Sequence, residues 1–210
     1  KLLNSHGEFL SNKESLNVFS LTKKLNVNNH LSSRINDMDF KSIHIRSVLN
    51  LSDVLVDEIK KRKFKVVVDG INSSGGVFVP FLLNKLDIEV IKLNCEPNGL
   101  FAHDPEPLPK NLTELSLSVV ENKAHLGIAV DPDVDRLVLV CEDGSFFGEE
   151  YTIVSIVKYI LSRYPNSRVV SNLSTTRAVK DIALEFSAEH FESAVGEANV
   201  VQLMKDKKAI

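Results

Sequence analysis

Asp131, Asp133 and Asp135 stand at alternate positions in "AVDPDVDRLVLV", with Arg136 directly after the last of them. Apolar runs flank the group, "HLGIAV" before it and "LVLVC" after it. Three carboxylates this close repel one another unless a cation sits among them. Oxygen-only donors favour a hard ion, Mg2+ ahead of Ca2+ or Mn2+. "GIAV" predicts a buried strand that ends at Asp131, and ligands of open α/β sheets gather at the carboxyl ends of strands. The competing reading is a solvated acidic turn. A bare D-x-D does not separate the two, whereas D-x-D-x-D-R between two strands favours the metal.

Two other motifs begin in a similar way. An EF-hand loop also opens D-x-D-x-D, and Glu142 falls at its twelfth position. Its sixth position needs glycine for the sharp turn, but Arg136 stands there, and "LVLVC" reads as strand where a helix should start. A haloacid dehalogenase-type phosphatase would use Asp131 as nucleophile. That motif carries Thr or Val where this chain has Asp135, and it opens its domain, whereas three strands precede it here. It stands as the alternative reading. "INSSGG" lacks the Gly-Lys-Ser/Thr of a P-loop and reads as a tight strand-to-helix turn. His103, alone in a proline-rich loop, reads as structural or solvated.

The elements that must position these residues follow an alternating pattern. "KLLNSHGEFLSN" gives two short apolar pieces around a turn, and "ESLNVFSLTKKL" has near-helical spacing at Leu16, Phe19, Leu21 and Leu25. A helix over "DVLVDEIKKR" takes Ser52 as its cap. Then come strand "KFKVVVDG", a helix over "VFVPFLLNKL" with Pro80 tolerable only near its first turn, and strand "DIEVIKLN". The loop "CEPNGLFAHDPEPLPK" holds four of the seven prolines and is expected to be irregular. Helix "NLTELSLSVVENK" and strands "HLGIAVD" and "RLVLVCEDG" close the series. After Gly148 the alternation restarts with helix "EEYTIVSIVKYILSRY", strand "SRVVSN", a helix capped by Ser174 or Thr175, strand "EHFESAVG" and helix "EANVVQLMKDKK". The expected class is α/β, with mixed sheets and right-handed βαβ crossovers. The expected division is one complete α/β domain over residues 19–147 and a partial second one over 148–210, with 1–18 the tail of another.

The composition excludes several functions. The chain has 210 residues, a formal net charge of −3 and no Trp, which argues against nucleic acid as a partner. No run approaches eighteen apolar residues and no secretory pattern opens the chain, so a membrane partner is not expected either. Cys95 and Cys141 lack metal-ligand spacing and read as buried reduced thiols of a cytoplasmic protein. The chain starts with Lys1 and stops as an apolar run begins, and both ends read as cut.

These residues together resemble the α-D-phosphohexomutases, the family of phosphoglucomutase, phosphomannomutase and phosphoglucosamine mutase. The family's metal loop is typically D-G-D-G-D-R, which "DPDVDR" matches at each aspartate and at the arginine. "VVVDGINSSGG" is similar to the opening of the family's second domain, "EPNGLFAHDPEPLPKNL" to its proline-rich loop, and "GEEYTIVSIVKYIL" to the start of its third domain. With Pro132 and Val134 in place of glycines, the loop is most similar to a bacterial branch labelled phosphoglucosamine mutase or phosphoglucomutase/phosphomannomutase.

The resemblance implies a Mg2+ held by Asp131, Asp133 and Asp135, a hexose phosphate substrate, and a phosphoserine that lies outside this chain. It implies a catalytic contact from Arg136, for which an ion pair with a neighbouring carboxylate is the plain alternative. Substrate contacts are implied at Gly196, Glu197 and Arg177, with Asn199 also facing the sugar. An ordinary helix start and a surface arginine are the alternatives there. Ser174 stands where some relatives have lysine, so no cationic contact carries over. The chain by itself is expected to show no turnover.

Overall fold

The computed structural model describes residues 2–23 and 38–210. In chain order the elements are α1 (Asn12–Thr22), α2 (Phe40–Leu49), α3 (Val56–Arg62), β1 (Lys65–Asp69), α4 (Gly75–Lys85), β2 (Glu89–Leu93), α5 (Thr113–Glu121), β3 (Leu126–Val130), β4 (Leu137–Cys141), α6 (Glu149–Arg163), β5 (Arg168–Asn172), α7 (Ala178–Glu185), β6 (Glu189–Ser193) and α8 (Glu197–Lys207). They fall into two compact units, Asp39–Ser155 and the described part of Lys1–Met38 with Ile156–Ile210. The division lies within α6.

In the first unit the sheet order is β2-β1-β3-β4. β1 pairs in parallel with both β2 and β3, and β4 runs antiparallel to β3. The sequence "KVVVD" suits β1 to its central place. Three consecutive β-branched residues suit a strand buried on both faces, and Val66, Val67 and Val68 are all almost fully buried. Because side chains alternate across a strand, they serve two cores. Val67 packs with Leu112, Leu115, Val119 and Val140 on the α5 face. Val66 and Val68 pack with Leu83, Leu86 and Ile88 on the α4 face. The sheet is thus sandwiched, and its strand ends carry the loops.

The turn from β1 into α4 is packed to the backbone. A Cβ on Gly70 would lie 2.4 Å from Gly76 Cα, and one on Gly76 would lie 2.6 Å from Cys95 Cα. No real side chain fits either place, so both glycines are required by close approach.

Four details differ from the sequence reading. Helix α4 begins at Gly75, so Pro80 is its sixth residue rather than a first-turn one. The glycines join the helix, and the buried proline removes one ladder bond without ending it. Ser52 is not the cap of α3, which starts at Val56 behind Leu55, and the Ser52 hydroxyl donates to Asp53. Ser174 and Thr175 do not cap α7, whose N-cap is Arg177; both hydroxyls donate to Asn172 Oδ1 instead. Helix α2 has no counterpart in the sequence reading, because Ile45 alone of its residues is buried while Phe40 and Ile43 are exposed. The proline-rich segment is irregular apart from one 3-10 turn at Pro109–Asn111. Leu25, assigned above to the first helix, lies outside the described residues.

The second unit holds a parallel pair, β5 with β6, joined through α7 and followed by α8. Its N-terminal piece is a tight turn closed by a Leu3–Phe9 bridge, then α1 behind a Ser11–Glu14 capping box. Lys205 of α8 pairs with Glu8 of that turn.

The two units repeat one plan. Helix, strand, helix, strand, helix runs from α3 to α5 and again from α6 to α8. After each final helix a lysine takes a left-handed conformation, Lys123 at φ 49° and Lys208 at φ 52°. The next alanine N–H returns to the helix, at 2.9 Å for Ala124 and 2.8 Å for Ala209. The N–H after that bonds the first residue of the central strand, His125 to Lys65 O at 2.9 Å and Ile210 to Arg168 O at 3.1 Å. In the first unit this step begins β3.

Candidate metal centre

β3 delivers Asp131 one residue past its end, and β4 begins at Leu137, which pairs with Val130. The acidic loop is therefore a six-residue hairpin connection whose two ends are locked together. Within it, Asp131 Oδ1 accepts the N–H groups of Asp135 and Arg136, each at 3.0 Å. The Val134 N–H returns to the Asp131 carbonyl at 3.1 Å. The loop is thus wrapped around its first aspartate.

Asp131 is buried, while Asp133 and Asp135 are exposed. One carboxylate oxygen from each lies within 4.8 Å of the others. Burial pushes the Asp131 carboxyl above its ordinary range, the backbone N–H of Arg136 pulls the other way, and Asp133 and Asp135 add to the rise. A buried carboxylate crowded by two more is what a divalent cation relieves, and a set of oxygen donors suits a hard one. Among the described residues this is the one group of three or more His, Cys, Asp or Glu side chains able to share an ion.

Two loops from the same end of the sheet reach this hairpin. From the β1–α4 turn, the hydroxyls of Ser73 and Ser74 donate to the Pro132 carbonyl at 2.9 and 2.8 Å. From the proline-rich loop, Glu106 pairs with the half-exposed guanidinium of Arg136. That loop is itself tied down at β1. His103 Nε2 lies 3.0 Å from Oδ2 of Asp69, a carboxylate only 2% exposed, and its Nδ1 lies 2.8 Å from the Asp104 carbonyl. Asn72 holds the same loop through Leu100 O at 3.0 Å and Glu96 N–H at 3.2 Å. Sequence reading assigned "INSSGG" a turn and missed these serines. Two hydroxyls beside a glycine pair were the available signal, but their target lies nearly sixty residues away.

The remaining sequence-predicted residues lie in the second unit. Arg177 is well exposed and pairs with Asp181 at 3.6 Å. Gly196 has φ 121° and opens α8 as its N-cap, with Glu197 the first helical residue. Glu197 and Asn199 line a cavity of about 360 Å³ together with Asn4, Glu8 and Lys205. Asn199 Nδ2 donates to the Val195 carbonyl at 3.0 Å. The two cysteines are free and half-buried rather than fully buried, and burial pushes the Cys95 thiol up. Among the described residues no helix is long and apolar enough to cross a membrane.

Comparison with known proteins bears on the hairpin directly. Residues 42–144 match the model of phosphoglucomutase/phosphomannomutase, alpha/beta/alpha domain II, and residues 148–210 match that of domain III. The chain belongs to the phosphoglucomutase/phosphomannomutase family. A protein of Methanopyrus kandleri named "Probable phosphoglucosamine mutase" is 29% identical over 177 residues, 84% of this chain and 38% of that protein. A phosphoglucomutase/phosphomannomutase of Thermococcus kodakarensis is 32% identical over 162 residues, 77% of this chain and 35% of that protein. A phosphoglucomutase of Neisseria meningitidis is 31% identical over 159 residues, 74% of this chain and 35% of that protein. A crystal structure of a phosphoglucomutase/phosphomannomutase family protein from Burkholderia thailandensis superposes with a TM-score of 0.77 at 23% identity, over 96% of this chain and 43% of that one, and shows the same fold. The chain spans between a third and two fifths of the length of these curated relatives. The phosphatase alternative finds no support, since the acidic hairpin falls inside the stretch assigned to domain II.

Proposed function

We propose that this chain is the middle portion of a Mg2+-dependent phosphohexomutase, supplying its metal loop. In this reading residues 19–147 form the metal-loop domain, 148–210 begin the next domain, and 1–18 end the preceding one. The single observation that carries the reading is the convergence of three carboxylates at the carboxyl end of β3 in a chain of this family.

Asp131, Asp133 and Asp135 hold the ion, which supplies positive charge where a transferring phosphoryl group accumulates negative charge. The whole enzyme moves a phosphoryl group from a serine to one hydroxyl of a hexose phosphate, and takes the other phosphoryl of the bisphosphate back onto the serine. Sugar 1-phosphate and 6-phosphate are thereby exchanged. Arg136 keeps a planar, permanently charged fork beside the loop, suited to a phosphoryl oxygen. Its pairing with Glu106 orients it and raises its proton affinity further. Gly196, Glu197 and Arg177 contribute to the sugar side. Gly196 supports this through a left-handed φ that opens the backbone at the head of α8. The net charge of −3 argues against nucleic acid, and family membership supports a small phosphorylated sugar as the partner.

Calorimetric titration of Mg2+ into the chain and into Asp133→Asn tests the central claim. The wild-type chain should give binding heat, weak because the phosphoserine is absent, and the variant should lose it. Equal heats for the two proteins would remove the hairpin as a metal site.

A further inference from the structure

The carbonyl of Pro132 sits between the first two aspartates of the hairpin and accepts two side-chain hydrogen bonds, from Ser73 Oγ at 2.9 Å and Ser74 Oγ at 2.8 Å. We propose that Ser73 and Ser74 are positioning residues for the acidic hairpin, clamping the Pro132 carbonyl so that the flanking carboxylates of Asp131 and Asp133 are set for a divalent cation before it arrives. This deepens the metal-loop reading and rests on it.

Three observations support the clamp. A carbonyl oxygen has two lone pairs, and here both meet a hydroxyl. Proline has no N–H, so this carbonyl is the only backbone group through which residue 132 can be held. The serines themselves sit on a firm base, because the turn that carries them is fixed by the Gly70–Gly76 approach and by Gly76 against Cys95.

The hairpin also needs outside support. Val134 is β-branched yet sits at φ 62°, a conformation such residues keep only when their surroundings over-determine it. Within the hairpin Asp131 Oδ1 accepts the N–H groups of Asp135 and Arg136, and from outside it Glu106 pairs with Arg136 at the far end. The serine hydroxyls act at the near end, on the residue between Asp131 and Asp133. The two hydroxyls join the hairpin to a second loop, and that work is done in folding rather than at the moment of ion binding.

The test uses the 210-residue chain with Mn2+ alone as probe, its affinity read by water-proton relaxation. Removing groups that orient metal ligands typically weakens a metal site by about 10- to 100-fold, and S73A/S74A should lose about tenfold in Mn2+ affinity. Its urea midpoint should fall only by what two partly solvated hydrogen bonds contribute, since Ser74 is exposed and Ser73 only partly buried. Without metal, the amides of Asp133–Asp135 should exchange faster in the variant while those of β1 do not, a change that a general loss of stability would not produce.

Unchanged Mn2+ affinity in S73A/S74A, with affinity lost in D133N, overturns the clamp and leaves the metal site standing. Unchanged affinity in both overturns the two readings together. Should the double variant fail to fold, S74A alone decides, with about a fivefold loss expected for one net hydrogen bond and no loss overturning the clamp.

Discussion

Val134 shows what a single side chain costs in this hairpin. A β-branched residue there holds φ 62°. A left-handed conformation costs an L-residue about 1–2 kcal/mol, partly offset because glycine has more freedom to lose on folding. Val134→Gly should therefore stabilise the chain by up to about 1 kcal/mol, where the same change in ordinary backbone destabilises by a similar amount. Urea denaturation of the two proteins measures the difference, and a loss of more than about 1 kcal/mol would show that the side chain's contacts outweigh the strain. Asp131 illustrates the opposite economy, in which burial is tolerated because its Oδ1 closes the loop on two backbone N–H groups. Arg136 is half-exposed and already engaged by Glu106, so any phosphoryl contact it makes competes with that pairing.

At the scale of elements, strand ends and the loops between them carry the chemistry. β1 ends in Asp69 and β3 is followed by Asp131, and both carboxylates organise loops rather than face solvent. Asp69 does so by gripping His103, so the lone histidine of the proline-rich loop is a tether for the segment that presents Glu106.

A second histidine, in the β5–β6 pair, carries a prediction about acid. His190 lies on β6 with Nε2 2.9 Å from the Ser171 hydroxyl of β5. Burial lowers its proton affinity, Glu192 opposes that, and Lys180 adds to it. The folded chain therefore binds this proton less readily than the unfolded chain. Stability from this group is present above the ordinary histidine range of about 6.5 and falls away as pH drops through the lowered value. His190→Gln should lose less stability than wild type between pH 7 and pH 5, measured by denaturant unfolding at each pH. An equal or larger loss in the variant would assign the acid sensitivity elsewhere.

The whole molecule uses one plan at two levels of completeness. In Asp39–Ser155 the central strand β1 has partners on both edges and apolar clusters on both faces. In the other unit, among the described residues, β5 pairs with β6, and at its second edge the Ile210 N–H bonds Arg168 O at its start. Exchange protection follows burial and pairing, so the amides of Val67 and Val68 should outlast those of Val169 and Val170 in native-state hydrogen exchange. The reverse order would mean that the two-stranded pair is stabilised by something other than its own sheet.

Most of the fold was legible in the sequence because its signals are local. A run of three valines, an apolar period near 3.6, and three aspartates between two strands act over a few residues wherever the chain goes. They determined the strands, nearly all the helices and the acidic hairpin. Helix α2 was not legible, since it buries one residue and so has almost no periodic signature. Helix caps failed for a different reason. Ser52, Ser174 and Thr175 are good capping residues, but the helices start beyond them, α3 behind Leu55 and α7 behind Arg177.

What tertiary structure alone decided is which distant side chains meet at the hairpin. Ser73 and Ser74 reach Pro132 across 59 and 58 residues, and Glu106 reaches Arg136 across 30. These meetings exist because β2, β1 and β3 lie side by side in parallel, bringing the loops that leave all three strands to one end of the sheet. Strand order is a property of the packed core rather than of any short stretch, so the residues of this site could be named from the sequence but their partners could not.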